Sequence, residues 1–140
     1  MKCYSYVIVR DYGFAPNPFH GFCTLATCKP WIRQVASIGD WVIGCGSAKH
    51  KTSGFLVYAM QVDEKLHYNA YWNSEKFRCK RPVMNGSLKQ MYGDNIYHYE
   101  DSQYIWVQVD SHHSNEDGSE NEYNKRRDLK SEYVLISSHF

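Results

Sequence analysis

Two short segments carry most of the side chains able to hold or attack a polar ligand. Residues 11–20 read DYGFAPNPFH. Pro16 and Pro18 stiffen this loop, so a ligand docking on it has little chain left to order. Asn17 can both donate and accept, which suits a base edge or a ribose hydroxyl. Tyr12, Phe14 and Phe19 offer flat faces for stacking. His20 offers a ring that changes charge near neutral pH. The structural alternative is that Asn17 closes a turn and the phenylalanines sit in the core.

Residues 24–30, TLATCKP, form the second segment. Proline fits the first position of a helix, where its missing N–H would have no helical partner. The spacing predicts a helix over 30–37 with Trp31, Val35 and Ile38 near one face, ended by Gly39. An anion would be favoured beside Lys29 at the helix start, with Arg33 one turn on and Thr24 or Thr27 supplying hydroxyls. The alternative is a Lys29 that is merely exposed. Cys28 or Cys23 paired with His20 would make a thiol nucleophile, but no third, orienting residue is evident. A zinc site from His112, His113 and a cysteine departs from familiar ligand spacings. Asp40, following Gly39, reads as a cap or a turn residue rather than a base. There is no G-x-x-x-x-G-K-[ST] loop, and Gly44-Cys45-Gly46-Ser47 is too short to serve as a phosphate cradle. No catalytic residue, metal or cofactor is therefore expected.

The surrounding chain must position these segments. At 140 residues with 43% hydrophobic content, one domain spanning 1–140 with a real core is expected. No stretch approaches the roughly 20 apolar residues of a membrane span, and none resembles a signal peptide. The five cysteines, odd in number and irregularly spaced, suit a reducing cytoplasm. Residues 1–60 carry six basic and two acidic side chains; residues 61–140 carry ten and thirteen. That bias is enough for a few phosphates and thin for a long duplex. The 16% aromatic content suits base stacking and subunit interfaces alike.

Strands are expected over 3–10, 40–46, 55–62, 96–99, 104–109 and 130–138, and a short helix near 87–91. The basic run at 76–81 reads as a solvated face or further phosphate contacts. Residues 112–128 read as a mobile surface loop holding the acidic run 116–122. The order points to an α+β fold: one curved, partly barrel-like mixed sheet with one or two packed helices.

The passage SIGDWVIGCGS, followed by FLVYAMQV, is similar to PUA-like domains of the EVE and ASCH type. More specifically, GFAPNPFHG, CTLATCKP and GDWVIG, with KRP at 80–82 and the terminal YVLISSHF, resemble the phage and bacterial family called nucleotide modification associated domain 2. The resemblance implies nucleotide chemistry. The expected function is capture, without chemistry, of a small nucleotide such as a cyclic dinucleotide defence signal, by a phage-encoded homo-oligomer. An enzyme or accessory reader of base modification is the alternative. The expected ligand-binding set is Tyr12, Phe14, Asn17, Phe19, His20, Thr24, Cys28, Lys29 and Arg33.

Overall fold

A computed structural model describes residues 1–100 and 103–140. Its elements run β1 (Cys3–Val7), β2 (Cys23–Leu25), α1 (Pro30–Val35), β3 (Trp41–Cys45), β4 (Leu56–Gln61), β5 (Glu64–His67), α2 (Tyr68–Asn73), α3 (Leu88–Met91), β6 (Tyr97–His98), β7 (Val107–Gln108), α4 (Glu122–Asp128) and β8 (Tyr133–Ser137). Short 3-10 turns lie at Ala48–His50 and Glu75–Lys80.

The α+β class holds. The pairing gives three short sheets, ordered β1-β3-β4, β2-β8-β5 and β6-β7, and no closed barrel among the described residues. β1 runs parallel to β3, and the other pairs are antiparallel. β8 is the centre of the molecule. Its run YVLIS is apolar on both faces, as a strand covered on both sides must be. Val134 and Ile136 point into one core cluster with Tyr68, Tyr71 and Phe77. Leu135 points into the other, with Leu25, Val42 and Met60. Gly44 lies inside β3, where a Cβ would come within 2.3 Å of the Tyr58 ring. Its role is packing.

α1 starts at Pro30 as expected and stops at Val35, two residues early. Its buried residues are Ile32 and Arg33, while Trp31, Val35 and Ile38 are exposed. Asp40 holds the turn between α1 and β3: Oδ1 accepts from the Lys2 N–H and Oδ2 from the Ser37 N–H.

Two buried cations tie distant segments together. Lys80, expected on a solvated face or at a phosphate, is fully buried. Its ammonium donates to Asn17 O and Oδ1, Phe22 O and Thr24 Oγ1, at 2.7–3.0 Å. Thr24 and Tyr71 in turn donate to the buried Asp94 carboxylate at 2.6 and 2.8 Å. Burial pulls the Lys80 ammonium down and pushes the Asp94 carboxyl up; each one's charge opposes the other's shift. Such a pair holds because it is fully hydrogen-bonded.

Arg33 is the second cation, also fully buried. Nε donates to Cys28 O at 2.7 Å, Nη1 to Ser131 O and Tyr133 O at 2.7 and 2.9 Å, and Nη2 to Asp128 O at 2.7 Å. The guanidinium fork thus clamps the start of α1 to the end of α4 and the entry to β8. A lysine gathers its donors on one nitrogen and has no planar fork, so it cannot reach carbonyls that Arg33 meets from three separate nitrogens. Arg33→Lys is expected to cost roughly 3 kcal/mol or more of unfolding free energy, read by urea denaturation. A loss below about 1 kcal/mol would show that the clamp is dispensable.

Candidate functional site

The Arg33 clamp brings Cys28 and Asp128 together. Cys28 and Lys29 both adopt left-handed backbone, with φ of 56° and 38°. For residues with a Cβ this costs on the order of 1–3 kcal/mol each and persists only where the surroundings enforce it. Here they do. The Cys28 N–H donates to Asp128 Oδ1 at 2.8 Å, and its carbonyl is held by Arg33.

His113 completes the arrangement. Its Nδ1 lies 2.6 Å from Asp128 Oδ2, and its Nε2 lies 3.6 Å from Cys28 Sγ. Asp128 Oδ2 also accepts from the Tyr97 hydroxyl at 2.7 Å. Thiol, imidazole and carboxylate are therefore in a row, with the ring in the middle. This is the order used when a thiol is activated by a base that a third group orients. The three ligand-type atoms lie within 4.8 Å of one another. Yet the ring presents Nδ1 to one partner and Nε2 to the other. One cation could not take both partners and a ring nitrogen without turning the ring, so the geometry is a relay rather than a chelate.

Burial works against a charged His113. The hydrogen bonds to Asp128 and Cys28, and their charges, outweigh it and push the ring up to about 9. Burial likewise works against the Asp128 carboxylate. The bond and charge of His113, the Tyr97 hydroxyl and the Cys28 N–H outweigh that and hold it below its usual value. Neighbouring His112 goes the other way, lowered by partial burial and by the charges of His113 and Arg10.

Cys28 and His113 open onto a cavity of about 460 Å³. Asp128 is fully buried behind them. Tyr6, Tyr12, Phe14, His112 and Tyr123 give the cavity aromatic walls, while Arg10, Lys29 and Arg127 give it positive charge. No carboxylate lines it among the described residues. Tyr12 stacks on Tyr92 and meets His112 edge-on. Phe14 packs edge-on against both His112 and His113. The Lys29 ammonium sits 5.0 Å over the Tyr6 ring. Aromatic faces and cationic groups thus line the same space, and its volume falls in the range of roughly 300–1,000 Å³ common to ligand pockets.

The chain belongs to the nucleotide modification associated domain 2 family. Its family model matches residues 1–140, the whole chain. No curated protein and no solved structure matches the chain.

Of the residues expected to bind ligand in this family member, Tyr12, Phe14, Cys28 and Lys29 line the cavity. The others do not. Asn17 and Thr24 are buried around the Lys80 ammonium. Arg33 spends its donors on carbonyls. Phe19 lies beneath the Lys89 ammonium and His20 is exposed, both outside the cavity lining. Asn17 and His20 therefore do not share the cavity that Lys29 lines. The histidine beside Cys28 is His113 rather than His20, and Asp128 lies on the far side of its ring. Cys23 is fully buried and its thiol is pushed up to about 12, mainly by desolvation. Residues 112–128, expected as a loop, bring both histidines to the cavity and end in α4. That helix had readable signals: Asn121 caps it, Glu122 sits in its first turn and Lys125–Arg127 in its last. Acidic composition hid them.

The His113–Asp128 pair, counted once, should make stability pH-dependent. A ring whose value rises from 6.5 to about 9 on folding contributes fully below about pH 6.5. That contribution fades as pH climbs through about 9, and is worth roughly 3 kcal/mol at most. Chemical denaturation across this window should show the decline in the wild type and flatten it in Asp128→Asn. Equal slopes in both would remove the pair from the account.

Proposed function

We propose that the protein is an enzyme of nucleotide chemistry that uses Cys28 as a nucleophile on a small anionic nucleotide seated in the cavity. The observation that carries this reading is the Cys28–His113–Asp128 row at the cavity wall. Membership of a nucleotide modification associated family supports a nucleotide as the substrate class. Arg10, Lys29 and Arg127 suit its phosphate, and the open face of Tyr12, half-exposed, suits its ring.

The residues present are sufficient for hydrolysis at an sp2 carbon bearing an amine or alkoxide leaving group. The Cys28 sulfur, as thiolate, bonds to that carbon while His113 Nε2 gives a proton to the departing group. Water then attacks the same carbon, His113 takes a proton from it, and the carbon–sulfur bond breaks. Net, one water is consumed and no oxidant or reductant is needed. Asp128 keeps the ring aligned through both steps.

Capture without chemistry uses the same cationic, aromatic walls and is separated from this reading by the fate of the ligand. Wild type and Cys28→Ser are incubated with nucleoside monophosphates, base-modified nucleotides and cyclic dinucleotides, and the nucleotides are then analysed by mass spectrometry. The expected result is a product formed by the wild type alone, with His113→Gln slower by roughly 10²–10⁴-fold. Ligand bound equally by both proteins and returned unchanged would establish capture. Neither binding nor product would count against both.

A further inference from the structure

Asn121 caps α4, and its backbone N–H donates to Gln108 Oε1 at 2.7 Å. A backbone N–H can only donate. This bond therefore settles which way the Gln108 amide faces: oxygen toward α4, nitrogen toward Tyr97. Gln108 Nε2 donates to the Tyr97 hydroxyl at 2.9 Å. The hydroxyl has one proton. With the amide donating into its oxygen, that proton points at its other neighbour, Asp128 Oδ2. Gln108 and Tyr97 are 3% and 0% exposed, so bulk water does not compete. Asp128 Oδ2, accepting from the hydroxyl, has no proton to give. His113 Nδ1 must then carry the hydrogen between them, which leaves Nε2 for Cys28.

We infer that Tyr97 and Gln108 are positioning residues for the Cys28 chemistry, setting the proton direction on His113 from outside the cavity. The inference rests on the proposed role of Cys28. Neither residue lines the cavity, so neither touches a ligand there.

The other charged and titratable neighbours act elsewhere. Arg33 Nη2 and the Tyr68 hydroxyl bond the main-chain oxygen of Asp128, not its carboxylate. Cys28 faces the far nitrogen of the ring, and His112 and Phe14 pack against it. Lys29, Arg10 and Arg127 line the cavity. Among these side chains, Tyr97 alone shares the carboxylate oxygen with His113. Its donation spreads the carboxylate's charge and weakens the hold on an imidazolium. Removing the hydroxyl should therefore strengthen that hold.

The test is NMR of the ¹⁵N-labelled imidazoles, titrated from about pH 6 to about pH 10, in wild type, Tyr97→Phe and Gln108→Leu. The wild-type neutral ring is expected to carry its hydrogen on Nδ1. In Tyr97→Phe the His113 midpoint should rise by about half a unit or more. In Gln108→Leu it should rise less, because the hydroxyl becomes free to turn. Turnover by each variant should follow the moved midpoint in its pH profile. A residue that is only structural would lower thermal stability and leave the ring shifts and midpoint where they were. That result, or a wild-type ring protonated on Nε2, overturns the inference. Should Tyr97→Phe not fold, Gln108→Leu decides alone. Midpoints that move while Cys28→Ser keeps full turnover would retain the ring's control by Tyr97 and sink the role of Cys28.

Discussion

The Asp128 carboxylate is the constraint on which the site depends. One oxygen receives the Cys28 N–H; the other receives His113 Nδ1 and the Tyr97 hydroxyl. Three segments that are far apart in the chain thus meet on one buried group. Arg33 makes the meeting obligatory by gripping the main-chain oxygens of Cys28, Asp128, Ser131 and Tyr133. Removing one partner from such a centre exposes the rest to desolvation without compensation, which is why it specifies one geometry.

The second buried centre, around Lys80 and Asp94, explains much of the motif GFAPNPFHG and CTLATCKP in this sequence. Asn17 and Thr24 bond to each other's backbone and to the Lys80 ammonium. The APNP loop is therefore held by the protein rather than held open for a ligand. The motif's contribution to the site comes from its flanks. Phe14 packs on the two histidines, and Cys28-Lys29 forms the strained corner before α1. The loop that builds the core leads into β2, and the chain reaches Cys28 three residues past its end at Leu25.

The sequence made the α+β class legible, along with the start of α1 and the strands at β1, β3, β4 and β8, because alternating apolar runs bounded by Gly and Pro leave few other folds for them. It also pointed at Cys28, Lys29, Tyr12 and Phe14. It did not reveal their partners. His113 and Asp128 stand 85 and 100 positions from Cys28, in polar surroundings that resemble a solvated loop. Two local hints existed: a His-His pair, and one acid placed between the basic run of α4 and Leu129. Lys80 was hidden for the opposite reason. It sits among four other basic and polar residues in EKFRCKR, and only tertiary contacts distinguish a buried lysine from its exposed neighbours.

The most direct measurement is the alkylation rate of each cysteine, resolved by peptide mass spectrometry. Cys3 and Cys79 are exposed and serve as internal references. Although it is only half-buried rather than exposed, Cys28 should react with iodoacetamide about 10-fold faster than either, and fall to their level in His113→Gln. A Cys28 that reacts no faster than Cys3 in the wild type would contradict the relay.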